Sequence, residues 1–162
     1  MATVDKWLFP LTFLAALGSG LIAGVFFAFS AFVMRAFGRL PPGEGMTAMQ
    51  SVNVAVLNPL FLGVFVGTAA LCGLLAVSSL LRWHEPGAAW LLAGSLLYLI
   101  GTFLVTMVFN VPRNNALAAA APADPGSARL WTGYLASWTA WNHVRTAAAL
   151  AATASFILAL RD

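Results

Sequence analysis

The residues best able to do chemistry are gathered in one stretch, Trp131 to Thr146 (WTGYLASWTAWNHVRT), which sets aromatic, amide, imidazole and guanidinium groups in an otherwise apolar chain. Drawn as a helix at about 100° per residue, Trp131, Tyr134, Trp138, Trp141, Asn142 and Arg145 fall within an arc of roughly 100°. Indole faces stack on flat rings, while amides and a guanidinium donate to a carbonyl or an anionic oxygen. His143 points well over a right angle away from that arc, towards the side carrying Thr139 and Thr146. It is a candidate general base, or alternatively a hydrogen-bond partner for a neighbouring helix. An aromatic belt at the headgroups, with Arg145 snorkelling, would account for the rings and the charge. It would not account for their sharing one face with Asn142.

The elements that must position this stripe follow from composition. Of the 162 residues, 61% are hydrophobic and only 8% charged, a balance suited to lipid rather than to a water-facing globule. Four apolar runs, 8–34, 59–81, 88–109 and 138–160, each meet or exceed the roughly 20 residues that cross a hydrocarbon core. The first is too long for a signal-peptide core and reads as a retained membrane helix. The expected fold is all-α: a four-helix transmembrane bundle, up-down-up-down, forming a single integral membrane domain over 1–162. A short polar helix precedes or extends the second span. Segment 44–58 carries Gln50 and Asn53 on one face and reads as an extension of that span, kinked at Asn58-Pro59. Segment 129–137 is a projecting start of the fourth helix. The expected location is multi-pass in a bacterial cytoplasmic membrane.

Four helices with short connections alternate in direction, so both termini share one side. That side collects ordinary flanking charges: Lys6, Arg82, His84, Glu85, Arg161 and Asp162. The other side collects the unusual residues. The first span ends with Ser30 and Arg35, the second begins with Gln50, Asn53 and Asn58, and the third ends in FNVPRNN with Asn110, Arg113, Asn114 and Asn115. Pro112 should end or bend the third helix there and free carbonyls for these amides and the guanidinium. Unpaired polar groups inside a bundle cost several kcal/mol each, so a cluster drawn from four helices implies a polar pocket. Trp138, Trp141, Asn142 and Arg145 would face Asn110 and Arg113 across it, with Tyr134, Gln50, Asn53, Asn114, Asn115 and Arg35 as further contacts. The fitting ligand is a hydrophobic aromatic, quinone-like or lipid-like molecule.

Several chemistries are disfavoured. The five carboxylates sit at termini or in connections, which argues against a carboxylate-bridged di-iron site or a paired-carboxylate acid/base site. One histidine near the cluster disfavours a multi-histidine copper or zinc centre, so no metal site is assigned; a single axial haem ligand stays open. Cys72 is the sole cysteine, which rules out an intramolecular disulfide. A formal charge of +3 without a basic cluster argues against nucleic acid. Gly20 and Gly24 form a small-xxx-small pair that can pack within the bundle or in a homo-oligomer, with membrane lipids around it.

FNVPRNN in the third span and WTAWNHVRT in the fourth, with QSVNVAVLNP before the second and a glycine-rich first span, closely resemble the anthrone oxygenase-like membrane family (DUF1772) over nearly the whole chain. The resemblance implies oxidation of an anthrone to an anthraquinone by O2 as co-substrate, with no metal or flavin cofactor. It would make His143 the base, with Arg145, Arg113, Asn110 and Asn142 stabilising the oxyanion and Trp138 and Trp141 holding the rings. The competing classes are a binding or carrier protein for a quinone-like or lipid-like ligand, and a structural membrane subunit.

Overall fold

The structure is a computed structural model that describes the backbone of residues 2–161 and the side chains of residues 7–161. The flanking side chains of Asp5, Lys6 and Asp162 lie outside the described residues. The described chain is all-α. Helix α1 comprises Ala2–Ala28, a π-helical stretch Phe29–Val33 and a last turn Met34–Phe37. Helix α2 is Pro42–Ala55 and α3 is Pro59–Leu81. Helix α4 runs over Ala88–Ala118 and α5 over Ser127–Arg161. All except α2 are long and apolar enough to cross a membrane, and the chain is a multi-pass integral membrane protein built as a four-helix bundle.

The second span is not one kinked helix with the preceding segment. Asn58 separates them with both ends of its amide: Oδ1 accepts from the Phe61 N–H at 3.0 Å and caps α3, while Nδ2 donates to the Ala55 carbonyl at 2.9 Å and closes α2. Pro59 then sits in the first turn of α3, where its missing N–H costs nothing. The polar segment therefore forms a separate helix, Pro42–Ala55, rather than an extension.

The third span also departs from expectation, because neither Pro112 nor the apolar limit at Phe109 ends it. Helix α4 is π-helical over Leu97–Leu104 and Thr106–Asn110 and returns to α-geometry in Val111–Ala118. The wider turns leave the ring of Pro112 room at the start of that last segment. The Arg113 side chain donates to the Phe109 carbonyl at 2.6 Å, so the guanidinium meets part of the local backbone demand. Gln50 Nε2 donates to Leu117 O at 2.8 Å and Ala120 O at 3.1 Å, closing the end of α4 from α2.

Helix α5 makes its most extensive contacts with α4 and α1. One apolar cluster, around Ile22, Phe26, Phe65, Tyr98 and Phe156, fills the bundle towards the termini. A second, around Met34, Met46, Met49, Leu117, Trp131 and Trp138, seats α2 against α5. Of the expected small-residue pair, a Cβ on Gly20 would meet Thr153 of α5 at 3.7 Å and one on Gly24 would meet nothing within 4 Å. Close approach falls elsewhere. A Cβ on Gly94 would come within 2.8 Å of the Phe156 ring. We expect Gly94→Val to cost about 1–3 kcal/mol through overpacking. Gly63→Val, where a Cβ meets nothing within 4 Å, should cost far less. Thermal unfolding in detergent followed by circular dichroism compares the two, and equal losses would contradict this packing.

Candidate functional site

Two polar arrangements flank α5, one on each face. The buried face is assembled around Arg145, which is 3% exposed. Its Nη2 donates to Asn142 Oδ1 at 2.7 Å and its Nη1 to Thr106 Oγ1 at 3.2 Å, while Nε has no partner. The guanidinium carbon lies 4.0 Å from the Phe26 ring centroid and 5.0 Å from that of Trp138. Among the described residues no carboxylate pairs with it. Oriented dipoles and two ring faces thus replace an anion, each desolvated cation–π contact contributing about 2 kcal/mol.

Asn142, fully buried, extends the network to α1. Its Nδ2 donates to Phe26 O and to Ser30 Oγ, both at 2.7 Å. Ser30 in turn lies 3.2 Å from Thr146 Oγ1, which donates to Asn142 O at 2.8 Å. Thr102 Oγ1 reaches the Arg145 carbonyl at 3.4 Å from α4, and Asn110 Nδ2 reaches the Trp138 carbonyl at 3.2 Å, leaving Asn110 Oδ1 buried without a partner.

The aromatic residues of the stripe are engaged by other protein rings. Trp141 stacks on Phe109 at 3.6 Å between centroids, and Trp138 lies between Phe29 at 5.7 Å and Tyr134 at 6.1 Å, with Trp131 beyond Tyr134. Asn114 Oδ1 accepts from both Tyr134 Oη at 2.9 Å and Trp138 Nε1 at 2.8 Å. Arg113 Nε donates to Ser137 Oγ at 3.1 Å. Asn53 is half-buried with an unpartnered Nδ2, and Asn115 is exposed. The structure therefore gathers Asn110, Arg113, Asn114, Trp138, Trp141, Asn142 and Arg145 as expected, but packs them against one another rather than around an open space. Most of their polar groups and rings are engaged by one another, by backbone carbonyls and by rings of the facing helices.

The open space lies on the other side of α5. A groove of about 410 Å³ runs between the end of α1 and α5, lined by Ser30, Met34, Arg35, Leu135, Ala136, Thr139, Ala140 and His143. His143 is exposed there. This is the side to which ideal helix geometry directs it, away from the tryptophans. The stripe Leu135, Ala136, Thr139, Ala140 and His143 is one face of α5, and its small residues make the recess. Sequence reading passed over that signal because nothing on those small side chains does chemistry. Ser30 joins the two arrangements, bonded to Asn142 behind and lining the groove in front. Among the described residues no three His, Cys, Asp or Glu side chains come together as a metal set.

Fold and site together define a four-helix integral membrane protein with a buried cationic network beside an open groove that holds a histidine and an arginine. A family model described as anthrone oxygenase matches residues 61–155, more than half of the chain, and the protein belongs to that family. The match includes Arg113, Trp138, Asn142, His143 and Arg145, whereas Ser30 and Arg35 precede it. No curated protein and no solved structure matches the chain.

The network makes the loss of Asn142 costly, because three of its bonds run through that side chain. Asn142→Leu would strip the side-chain donor from Phe26 O and leave Arg145 Nη2 unpaired. We expect a loss of about 3 kcal/mol in detergent unfolding. The exposed Asn115→Leu should change stability by less than about 0.5 kcal/mol. Similar effects for the two variants would show that the network does not hold the bundle together.

Proposed function

We propose that the groove between α1 and α5 binds a flat phenolic ring system and that the protein oxidises an anthrone there to an anthraquinone, using O2 without a resident cofactor. The observation that carries this reading is that His143 and Arg35, a proton acceptor and a fixed cation, line one groove whose remaining walls are mostly apolar. Family membership supports the reaction class. The buried Arg145 and Asn142 are taken as support for the wall, not as groups that touch the substrate.

The chemistry needs little beyond a base and an oxyanion partner. His143 removes a proton from the methylene opposite the anthrone carbonyl, and the electron pair delocalises onto the carbonyl oxygen. Arg35 favours that anion, which lowers the barrier to its formation. The electron-rich anthrolate transfers an electron to O2, and recombination forms a C–O bond to the former methylene carbon. The imidazolium returns its proton to the resulting peroxide. Loss of the second C–H proton then drives O–O cleavage, forming the new carbonyl and releasing water. The balance is anthrone plus O2 giving anthraquinone plus H2O. Apolar walls formed by Met34, Leu135, Ala136 and Ala140 suit the rings.

Oxygen-electrode measurements with emodin anthrone or dithranol, on purified protein without added metal, test this reading. We expect acceleration over the spontaneous reaction, a loss of about 100-fold in kcat for His143→Ala, and loss of turnover when Ala140→Trp fills the groove. No acceleration with several anthrones would refute the oxygenase reading.

A further inference from the structure

We propose that Ser30 is a substrate-contacting donor that selects an ionised oxygen on the groove's ligand, and that Asn142 and Arg145 are positioning residues that act through it. The inference rests on the groove being the ligand site, and it follows from the direction of each hydrogen bond around Ser30.

A guanidinium can only donate, so the Asn142 atom facing Arg145 at 2.7 Å must be the carbonyl oxygen. The amide orientation is thereby fixed, and Nδ2 is the end directed at Ser30 Oγ. Ser30 is an acceptor in that bond, and its own proton must go elsewhere. The usual destination in a helix is the carbonyl four residues earlier. Thr47, Ser78, Ser95, Thr106, Ser137 and Ser155 all donate in this way. For Ser30 that carbonyl is Phe26 O, which receives the Asn142 amide instead, and the segment Phe29–Val33 is π-helical.

One acceptor remains inside the protein. Thr146 Oγ1 has committed its proton to Asn142 O, so it can only accept from Ser30, and it does so at 3.2 Å. That is long for an O–H···O bond, whose separation is usually about 2.7–2.8 Å. An anionic oxygen in the groove offers a shorter, charge-assisted alternative and draws the proton outward. Ser30 is half-buried and lines the groove with Arg35 and His143. The ligand class selected is a phenolate or enolate, in preference to an amine or an uncharged aromatic.

The test uses the full-length protein in detergent with 2-hydroxyanthraquinone, whose phenol reddens on ionisation. Visible titration of the bound dye should show ionisation in Ser30→Ala at a pH higher than in wild type by about one unit, a tenfold change in ionisation ratio. Ser30→Thr should retain the wild-type value. Asn142→Asp should behave like the alanine variant although Ser30 is intact, because a carboxylate accepts the Ser30 proton. Should that variant fail to fold, the two Ser30 variants decide the matter. Dye that remains bound and ionises identically in wild type and Ser30→Ala overturns the role of Ser30 while leaving the groove reading in place. Dye that does not bind wild type, or that binds Ala140→Trp equally well, overturns both.

Discussion

The bundle depends on one buried amide. Asn142 joins α1 to α5 by donating to Phe26 O and Ser30 and accepting from Arg145, whose other arm reaches Thr106 on α4. Only a carboxamide side chain offers both the acceptor that a guanidinium needs and the donors that a carbonyl and a hydroxyl need in the same plane. The guanidinium is costly to bury, and its cost is offset by directed dipoles and by the faces of Phe26 and Trp138 rather than by a carboxylate. Three helices are thus held in register by groups that would each be unfavourable alone.

From this arrangement follows a division of α5 into two working faces. The face carrying Trp131, Tyr134, Trp138, Asn142 and Arg145 is buried against the neighbouring helices, which gives the helix a fixed rotation about its axis. That rotation turns Thr139 and His143 towards the groove. Rigidity on one side and accessibility on the other are two effects of the same packing. It is the combination that a positioned base requires.

Much of this was legible in the sequence. The length of the apolar runs and the alternation of short connections gave the four-helix bundle, and the second span matched its expected limits of 59–81. The buried network was legible in type, since an arc of tryptophans with Asn142 and Arg145 demands partners. What periodicity could not supply was volume: whether facing polar side chains enclose a space or fill it depends on how Phe109 meets Trp141 and how Asn114 meets Tyr134 and Trp138. The direction of His143 was readable from helix geometry, but its destination required knowing where α1 ends. The break at Asn58 and the run through Pro112 were missed for local reasons. An amide served two helices at once, and π-helical turns relieved a steric conflict that an ideal helix would have obeyed.

The placement of Arg145 also bears on how the bundle is made. Helix α5 has the lowest hydropathy of the four spans and is the last of them to be synthesised. Entering lipid alone, it would carry an uncompensated guanidinium and a free amide, at a cost of several kcal/mol. The partners that offset this cost, Phe26 O, Ser30 and Thr106, lie on α1 and α4, which precede it in the chain. The polar face of the final span is therefore compensated only within the bundle, and the same packing that satisfies it forms one wall of the groove.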